Sequence, residues 1–315
     1  MLVVCFIGTG KKMDKKTVLV TGATGFIGRH FCQSAVAKGF NVIALVRDVD
    51  KAKQRLPDVL LVTSLADLPS GKIHYVVNMA GEPLAKGRWN EQRKQAFLES
   101  RVNTTNQLFD HFKSSTEPPD VLISGSAVGY YGPYCDKLLD EAAVPHESFS
   151  HYLCSEWEHS AAQFAPLGTR VCYLRTGIVL GDGEGALSQM VPPFKMGLGG
   201  RIGNGKQWMP WIHIDDEIAL IFHCIKRSDI SGSVNGAAPN PVTNQQFSKT
   251  LGKALSRPVI FPMPAFIAKL LFGEMAEELL LTGQRAYPRK ALESSFEFRY
   301  PELEPALDQI LFKNS

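Results

Sequence analysis

The residues best suited to chemistry are three evenly spaced glycines, Gly22, Gly25 and Gly28, in the stretch Val18-Leu-Val-Thr-Gly-Ala-Thr-Gly-Phe-Ile-Gly28. That spacing suits an anion laid against the main chain. Gly22 permits a tight turn from strand to helix, Gly25 lets the backbone approach a pyrophosphate, and Gly28 lets the helix pack closely on the strand. The free N–H groups at the helix start then face the anion. Thr21, Gly22, Thr24, Gly25, Phe26, Ile27 and Gly28 make a candidate dinucleotide cradle, because they join an apolar run to an amphipathic one. The ribose end is read from the next strand. An acidic residue closing that strand accepts hydrogen bonds from the adenosine ribose hydroxyls and favours NAD. Here Arg47 comes first and Asp48 second. Arg47 could grip a 2′-phosphate bidentately, with Arg29 and Lys51 as helpers, so NADP(H) is favoured over NAD(H).

These residues need a scaffold of alternating strands and helices. Thr17 to Val20 reads as a buried strand and Phe26 to Lys38 as a helix. Further strands are expected from Asn41 to Val46, Val59 to Thr63, Tyr75 to Asn78, Val121 to Ser124 and Arg170 to Leu174. Helices are expected from about Asn90 to Phe112 and from Tyr152 to Phe164. Such alternation implies an α/β fold with a Rossmann-type doubly wound parallel sheet, and ligands at the carboxyl ends of its strands. From about Gly181 the texture changes to a glycine-rich lobe, followed by a last strand from Val234 to Gly236. Asn244 to Leu255 reads as a helix with Thr243 as its N-cap. Ala265 to Phe272, Glu274 to Leu281 and Pro301 to Leu311 have helical spacing. The expected division is a nucleotide domain over 14–240, of which about 182–214 belongs to the substrate lobe. Residues 241–315 complete that smaller C-terminal α/β lobe, and 1–13 form an N-terminal extension that ends on Met13, a candidate start.

The 315 residues are 44% hydrophobic, enough for a sizeable core, and the net charge of +3 is mild. No Lys/Arg run marks a nucleic-acid surface, and no segment has the ~18 uninterrupted apolar residues of a membrane span. The six cysteines, Cys5, Cys32, Cys135, Cys154, Cys172 and Cys224, are scattered without a Cys-x-x-Cys pair, which fits reduced thiols in a cytoplasmic protein. The histidines are equally dispersed, so no metal site is expected.

The Thr-Gly-x-x-Gly-x-x-Gly spacing resembles the extended short-chain dehydrogenase/reductases, which include nucleotide-sugar epimerases and dehydratases. Asn78-x-Ala80-Gly81 matches that family's Asn-x-Ala-Gly, which lies along the cofactor, and Asn103 resembles its helix asparagine. Ser124-Gly-Ser-Ala-Val-Gly-Tyr-Tyr-Gly132 resembles its serine loop, with Ser126 at the catalytic serine. The resemblance breaks at the catalytic Tyr-x-x-x-Lys. Counting back from Glu158 puts Cys154 at the lysine position and Ser150 at the tyrosine position. The only nearby tyrosine, Tyr152, has Glu156 four residues on, and that charge would push a phenol's pKa the wrong way. The phrases Cys154-Ser-Glu-Trp-Glu158, Arg175-Thr-Gly-Ile-Val-Leu-Gly181 and Trp208-Met-Pro-Trp-Ile-His-Ile-Asp215 resemble an atypical "epimerase family" subgroup. That subgroup carries a short C-terminal domain of unknown function, which Gly283 to Pro301 resembles.

On this resemblance Ser126 would polarise a carbonyl, with Tyr130 or Tyr131 as the acid. His213 is expected to be a structural hydrogen-bonder between lobes, and Cys154 an inert buried thiol. Arg88, Trp89, Trp208, Trp211, Arg201 and Arg285 are candidates for a substrate wall. The implied function is an NADP(H)-dependent oxidoreductase or nucleotide-sugar epimerase-like enzyme acting on a small molecule, with a sugar nucleotide as one candidate. A non-catalytic NADP(H) sensor or scaffold is the alternative, and a homodimer is a candidate assembly.

Overall fold

The computed structural model describes residues 15–85, 87–134 and 136–312, and the expected extension over 1–13 lies outside them. Seven strands form one parallel sheet: β1 (Thr17–Thr21), β2 (Asn41–Leu45), β3 (Leu60–Val62), β4 (Tyr75–Asn78), β5 (Val121–Ala127), β6 (Arg170–Thr176) and β7 (Gly232–Gly236). Their order across the sheet is β7-β6-β5-β4-β1-β2-β3. This is the doubly wound arrangement, and the strand order reverses between β1 and β4.

The strands read clearly because both faces are covered. Successive residues alternate between faces, so Val18 and Val20 join Phe31, Ile123, Leu174 and Phe222 on one side, while Leu19 joins Ile43, Val76, Leu122 and Phe164 on the other. The helices on the two faces are α1 (Phe26–Ala37), α2 (Val49–Arg55), α3 (Glu91–Phe112), α4 (Phe149–Ala162) and α6 (Ile214–Lys226), while α5 (Gly185–Lys195) packs in the second lobe. The ends of α3 and α4 are set by side chains: Asn90 accepts the N–H of Arg93, and Ser148 accepts that of His151.

Two helices depart from the sequence expectation. α6 follows directly on the Trp211 segment, where no helix is expected. Nine of its 13 positions are buried, and they include the charged Asp216 and Glu217, so its polar residues do not gather on one outer face. α5 holds Pro192 and Pro193, and glycines surround it. The second lobe adds α7 (Asn244–Ala254), α8 (Ala265–Phe272), α9 (Arg289–Glu293) and α10 (Leu303–Phe312). Thr243 caps α7 with a reciprocal Gln246 bond, as its sequence predicts. Glu274 to Leu281 is not a regular α-helix: Ala276–Leu280 is a π-helical turn, with Leu281 N–H bonded to the Ala276 carbonyl at 2.8 Å. This lobe packs Leu187, Phe194, Phe247, Leu251 and Leu307 around Trp211. Its chain returns to the sheet domain where Arg285–Ala286 pairs with Leu138–Leu139. No helix among the described residues is long and apolar enough to cross a membrane.

Candidate functional site

The glycine loop lies where the strand order reverses, and its three glycines are needed for different reasons. Gly22 adopts a left-handed conformation at φ 64°, and a Cβ there would sit 2.4 Å from the Met79 carbonyl oxygen. A Cβ on Gly28 would sit 2.3 Å from the Gly22 oxygen, so α1 packs directly on the loop. Gly25 is exposed, and a Cβ there would meet only the Gly22 oxygen, at 3.2 Å. It is the N-cap of α1 and gives the helix no side-chain acceptor, which leaves the first turn's donors free for an anion. Close by, the buried Nε of Arg29 also lacks a partner. Arg55 ties the loop down, donating to the Thr24 carbonyl at 3.1 Å and to Glu184 at 2.9 Å. Phe26 packs its ring against Gly181 and Gly185, where a Cβ would collide with it. Ile27 is half-buried. An orphaned donor, an uncapped helix start and an open glycine are what a pyrophosphate requires.

Thr21 and Asn78 lie behind the loop rather than on it. Thr21 donates to Asn78 Oδ1 at 2.6 Å, and Asn78 Nδ2 donates to Thr105 at 2.8 Å, all three buried. Their side chains join β1, β4 and α3. Ala80 and Gly81 follow on the surface. Gly81 is backed by Arg101, whose Cζ would be 2.9 Å from a Cβ. Asn103 points to solvent on α3, while its neighbours Arg101 and Thr105 face inward. Arg47 is exposed just past β2. Asp48 is already engaged: it caps α2 through Lys51 N–H and pairs with Lys51 Nζ at 3.0 Å.

At the end of β5 the polar side chains turn inward. Ser126 donates to Glu158 at 2.7 Å, and Glu158 accepts two further bonds from Arg175, both 2.8 Å. Arg175 also donates to the Tyr131 hydroxyl at 3.2 Å, and Tyr131 donates to Asn235 at 2.7 Å. This corrects two expectations. A serine has one proton, and that of Ser126 points at Glu158, not toward a carbonyl. Tyr131 is fully buried, and burial pushes its phenol up to about 12 despite the pull of Arg175. Tyr130 differs: its ring lies on the Arg175 guanidinium, 3.4 Å from the centroid, and its hydroxyl has no partner among the described residues. Cys154 is inert as expected, since burial and then the Glu158 charge push its thiol up to about 11.

The expected substrate wall does not assemble. Trp89 is buried against Phe97 and Phe149, with its Nε1 bonded to the Leu84 carbonyl at 2.8 Å. Trp211 is the centre of the second lobe's core. Arg88 reaches the Leu270 carbonyl instead, and Arg201 is exposed to solvent. Trp208 and Arg285 do meet, the guanidinium 4.4 Å from the ring, and Trp208 Nε1 bonds to Asp136 at 3.0 Å. His213 bridges as expected, bonding to Gln309 of α10 at 2.8 Å.

Sequence reasoning placed Ser150 at the tyrosine position but passed over Glu277 and Glu278, which share with it a cavity of about 210 Å³ beyond the serine loop. Ser150 from α4 and Glu277 and Glu278 from the π-helical turn line it together with Gly132 and Gln284. Gln284 fixes one wall by donating to the Gly132 carbonyl at 2.8 Å. Adjacent glutamates in a helical pattern read as solvated charges, so no local signal marks them.

Comparison with known proteins agrees with this geometry. A family model described as the NAD dependent epimerase/dehydratase family matches residues 18–235, and a domain of unknown function (DUF1731) matches 263–310. The epimerase family protein YfhF of Bacillus subtilis is 36% identical over 298 residues, covering 93% of this chain and 97% of its own. The crystal structure of human epimerase family protein SDR39U1 with NADPH superposes with a TM-score of 0.85 at 35% identity, over 95% of this chain and 100% of that one. A nucleoside-diphosphate sugar epimerase from Corynebacterium glutamicum gives 0.77 at 31% identity, over 94% of this chain and 58% of that one.

Proposed function

The chain belongs to the NAD dependent epimerase/dehydratase family, and on that premise we propose that it is an NADP(H)-dependent oxidoreductase or epimerase-like enzyme acting on a small molecule. The observation that carries this reading is the division among the three glycines. Gly22 and Gly28 are needed by the fold itself, whereas Gly25 is open and explained by a ligand. When bound, the dinucleotide supplies or takes up a hydride. This chain's residues hold it: Gly25, Phe26 and Ile27 through the start of α1, Ala80 and Gly81 on the far side, and Thr21 and Asn78 as braces behind.

The choice of NADP(H) rests on Arg47. Asp48 is spent as the cap of α2, which leaves the exposed guanidinium to meet a 2′-phosphate. The human relative crystallised with NADPH supports the same choice. At the other end, Ser126 and Tyr131 act as positioning residues that fix the loop, and Tyr130 is the loop's candidate acid. The substrate carries a carbonyl or hydroxyl.

Thermal unfolding with NADPH or NADH tests this. At a hundredfold excess over the dissociation constant, NADPH should stabilise the protein by about 2.7 kcal/mol. Arg47→Ala should cost about tenfold in NADPH affinity and leave NADH unaffected. No shift with either dinucleotide would sink the proposal.

A further inference from the structure

The family's tyrosine is missing, and the structure shows what stands in its place. Ser150 holds the tyrosine position by residue count, and Cys154 the lysine position. The two lie one turn apart on the face of α4 that meets the serine loop: a Cβ on Gly129 would be 3.1 Å from that of Ser150, and Cys154 is buried one turn further on. No cation can therefore act from Cys154. Instead a carboxylate arrives from the C-terminal lobe. Glu278 accepts the Ser150 hydroxyl at 2.6 Å and the Ser150 N–H at 3.2 Å, at the wall of the 210 Å³ cavity. The turn that delivers it is π-helical, a rare form that recurs at functional sites.

We propose that Ser150 and Glu278 form the proton-transfer pair of this enzyme, acting on a neutral carbonyl or hydroxyl compound; this rests on the NADP(H) reading above. The cavity sets the substrate's charge. Glu277 and Glu278 line it, no Lys, Arg or His among the described residues does, and Glu277 is already paired with Lys269 outside it at 2.7 Å. A carboxylate or phosphate placed there would meet like charge, whereas a neutral oxygen finds donors and acceptors. In the reducing direction the C=O π bond opens and carbon gains a C–H bond from the hydride of the reduced dinucleotide. Oxygen gains an O–H bond from the protonated Glu278 carboxyl, directly or through the Ser150 hydroxyl. The carbonyl is reduced and the dinucleotide oxidised. The carboxylate left behind accepts from Ser150 as observed, and solvent returns its proton. The pair thus takes the acid role that the serine loop offers through Tyr130.

The test uses the full chain as wild type, Glu278→Gln, Ser150→Ala and Tyr130→Phe. NADPH affinity is read by fluorescence, and NADPH oxidation is followed with butane-2,3-dione, a neutral probe, and with pyruvate, an anionic one, from pH 5 to 9. All four proteins should bind NADPH alike. Glu278→Gln should lose about a hundredfold in kcat on the dione, in the range of one general acid. Ser150→Ala should lose about tenfold, and wild type should favour the dione over pyruvate by at least about tenfold. Isobutyramide, an unreactive carbonyl analogue, gives a second readout: its binding to the NADPH complex should take up a proton in wild type and none in Glu278→Gln, by calorimetry in two buffers. A Glu278→Gln enzyme with wild-type rate, pH profile and proton uptake would overturn the proposal. So would a larger loss in Tyr130→Phe than in Glu278→Gln. A wild-type NADPH complex that neither reduces the dione nor binds the amide would also overturn it, with the cofactor reading intact. Failure of wild type to bind NADPH at all would remove that reading instead.

Discussion

The two carboxyl-end loops of the sheet handle their polar groups in opposite ways. At β1 the loop leaves donors unspent: Gly25 supplies no cap to α1, and Arg29 Nε is buried without a partner. At β5 they are spent internally, with Ser126, Glu158, Arg175, Tyr131 and Asn235 joined in one buried network. A loop with unmet donors is built for a ligand, while a satisfied one is built for rigidity. The proposed proton-transfer pair stands outside that network, at the wall shared with the C-terminal lobe, where Ser150 meets Glu278.

The hardest blow to this contrast would be a network that does not matter for stability. Arg175→Met leaves Glu158 as a buried charge without its guanidinium, and removing one partner of such a pair typically costs about 3–5 kcal/mol. Urea unfolding at pH 7 should show a loss of that size, and Glu158→Leu added to Arg175→Met should recover most of it. A single variant within about 1 kcal/mol of wild type would mean that the network is loosely held, and the bracing role of Ser126 would go with it.

A second carboxylate sharpens the point, because it is buried without a guanidinium. Glu217 accepts from Thr176 at 2.7 Å, but its other oxygen is unmet, beside Gly236. Burial raises its carboxyl to about 7 from 4.5, with the Thr176 bond opposing. The folded chain therefore keeps this proton where the unfolded chain has released it. Stability falls as pH climbs from near 4.5 and the loss is complete above about 7, amounting to about 3 kcal/mol. Glu217→Gln should be more stable than wild type by about that much at pH 8, with the gap closing by pH 4.5. Parallel stability curves for the two proteins would show that water reaches the site.

How much of this was legible in the sequence follows the same divide. Gly22 and Gly28 can be read because backbone packing admits no other residue, and β1, β2 and β4 because both faces demand apolar side chains. Asn78 and Ser126 were found by position, but their orientations were not, since the groups they bond lie 27 and 32 residues away in Thr105 and Glu158. Trp89 and Trp211 read as wall or core equally well, because an indole carries no mark of which side it faces. α6 was hidden because it buries Asp216 and Glu217 along with its apolar residues, and Glu278 by a partner 128 residues distant.

The mildest test separates the two kinds of glycine within one loop. Gly22→Ala would force a Cβ into the Met79 carbonyl at a left-handed backbone, so folding itself should suffer. Gly25 has φ −75° and ψ 174°, an extended geometry that any residue adopts. Gly25→Val should therefore change unfolding free energy by no more than about 1 kcal/mol. Its branched side chain would nonetheless stand where the pyrophosphate must approach. NADPH affinity should drop about a hundredfold, equivalent to about 2.7 kcal/mol. Fluorescence titration beside a thermal melt measures both. If Gly25→Val bound NADPH as wild type does, the open glycine would be an accident of the turn, and the contrast between an unspent and a spent loop would lose its functional meaning.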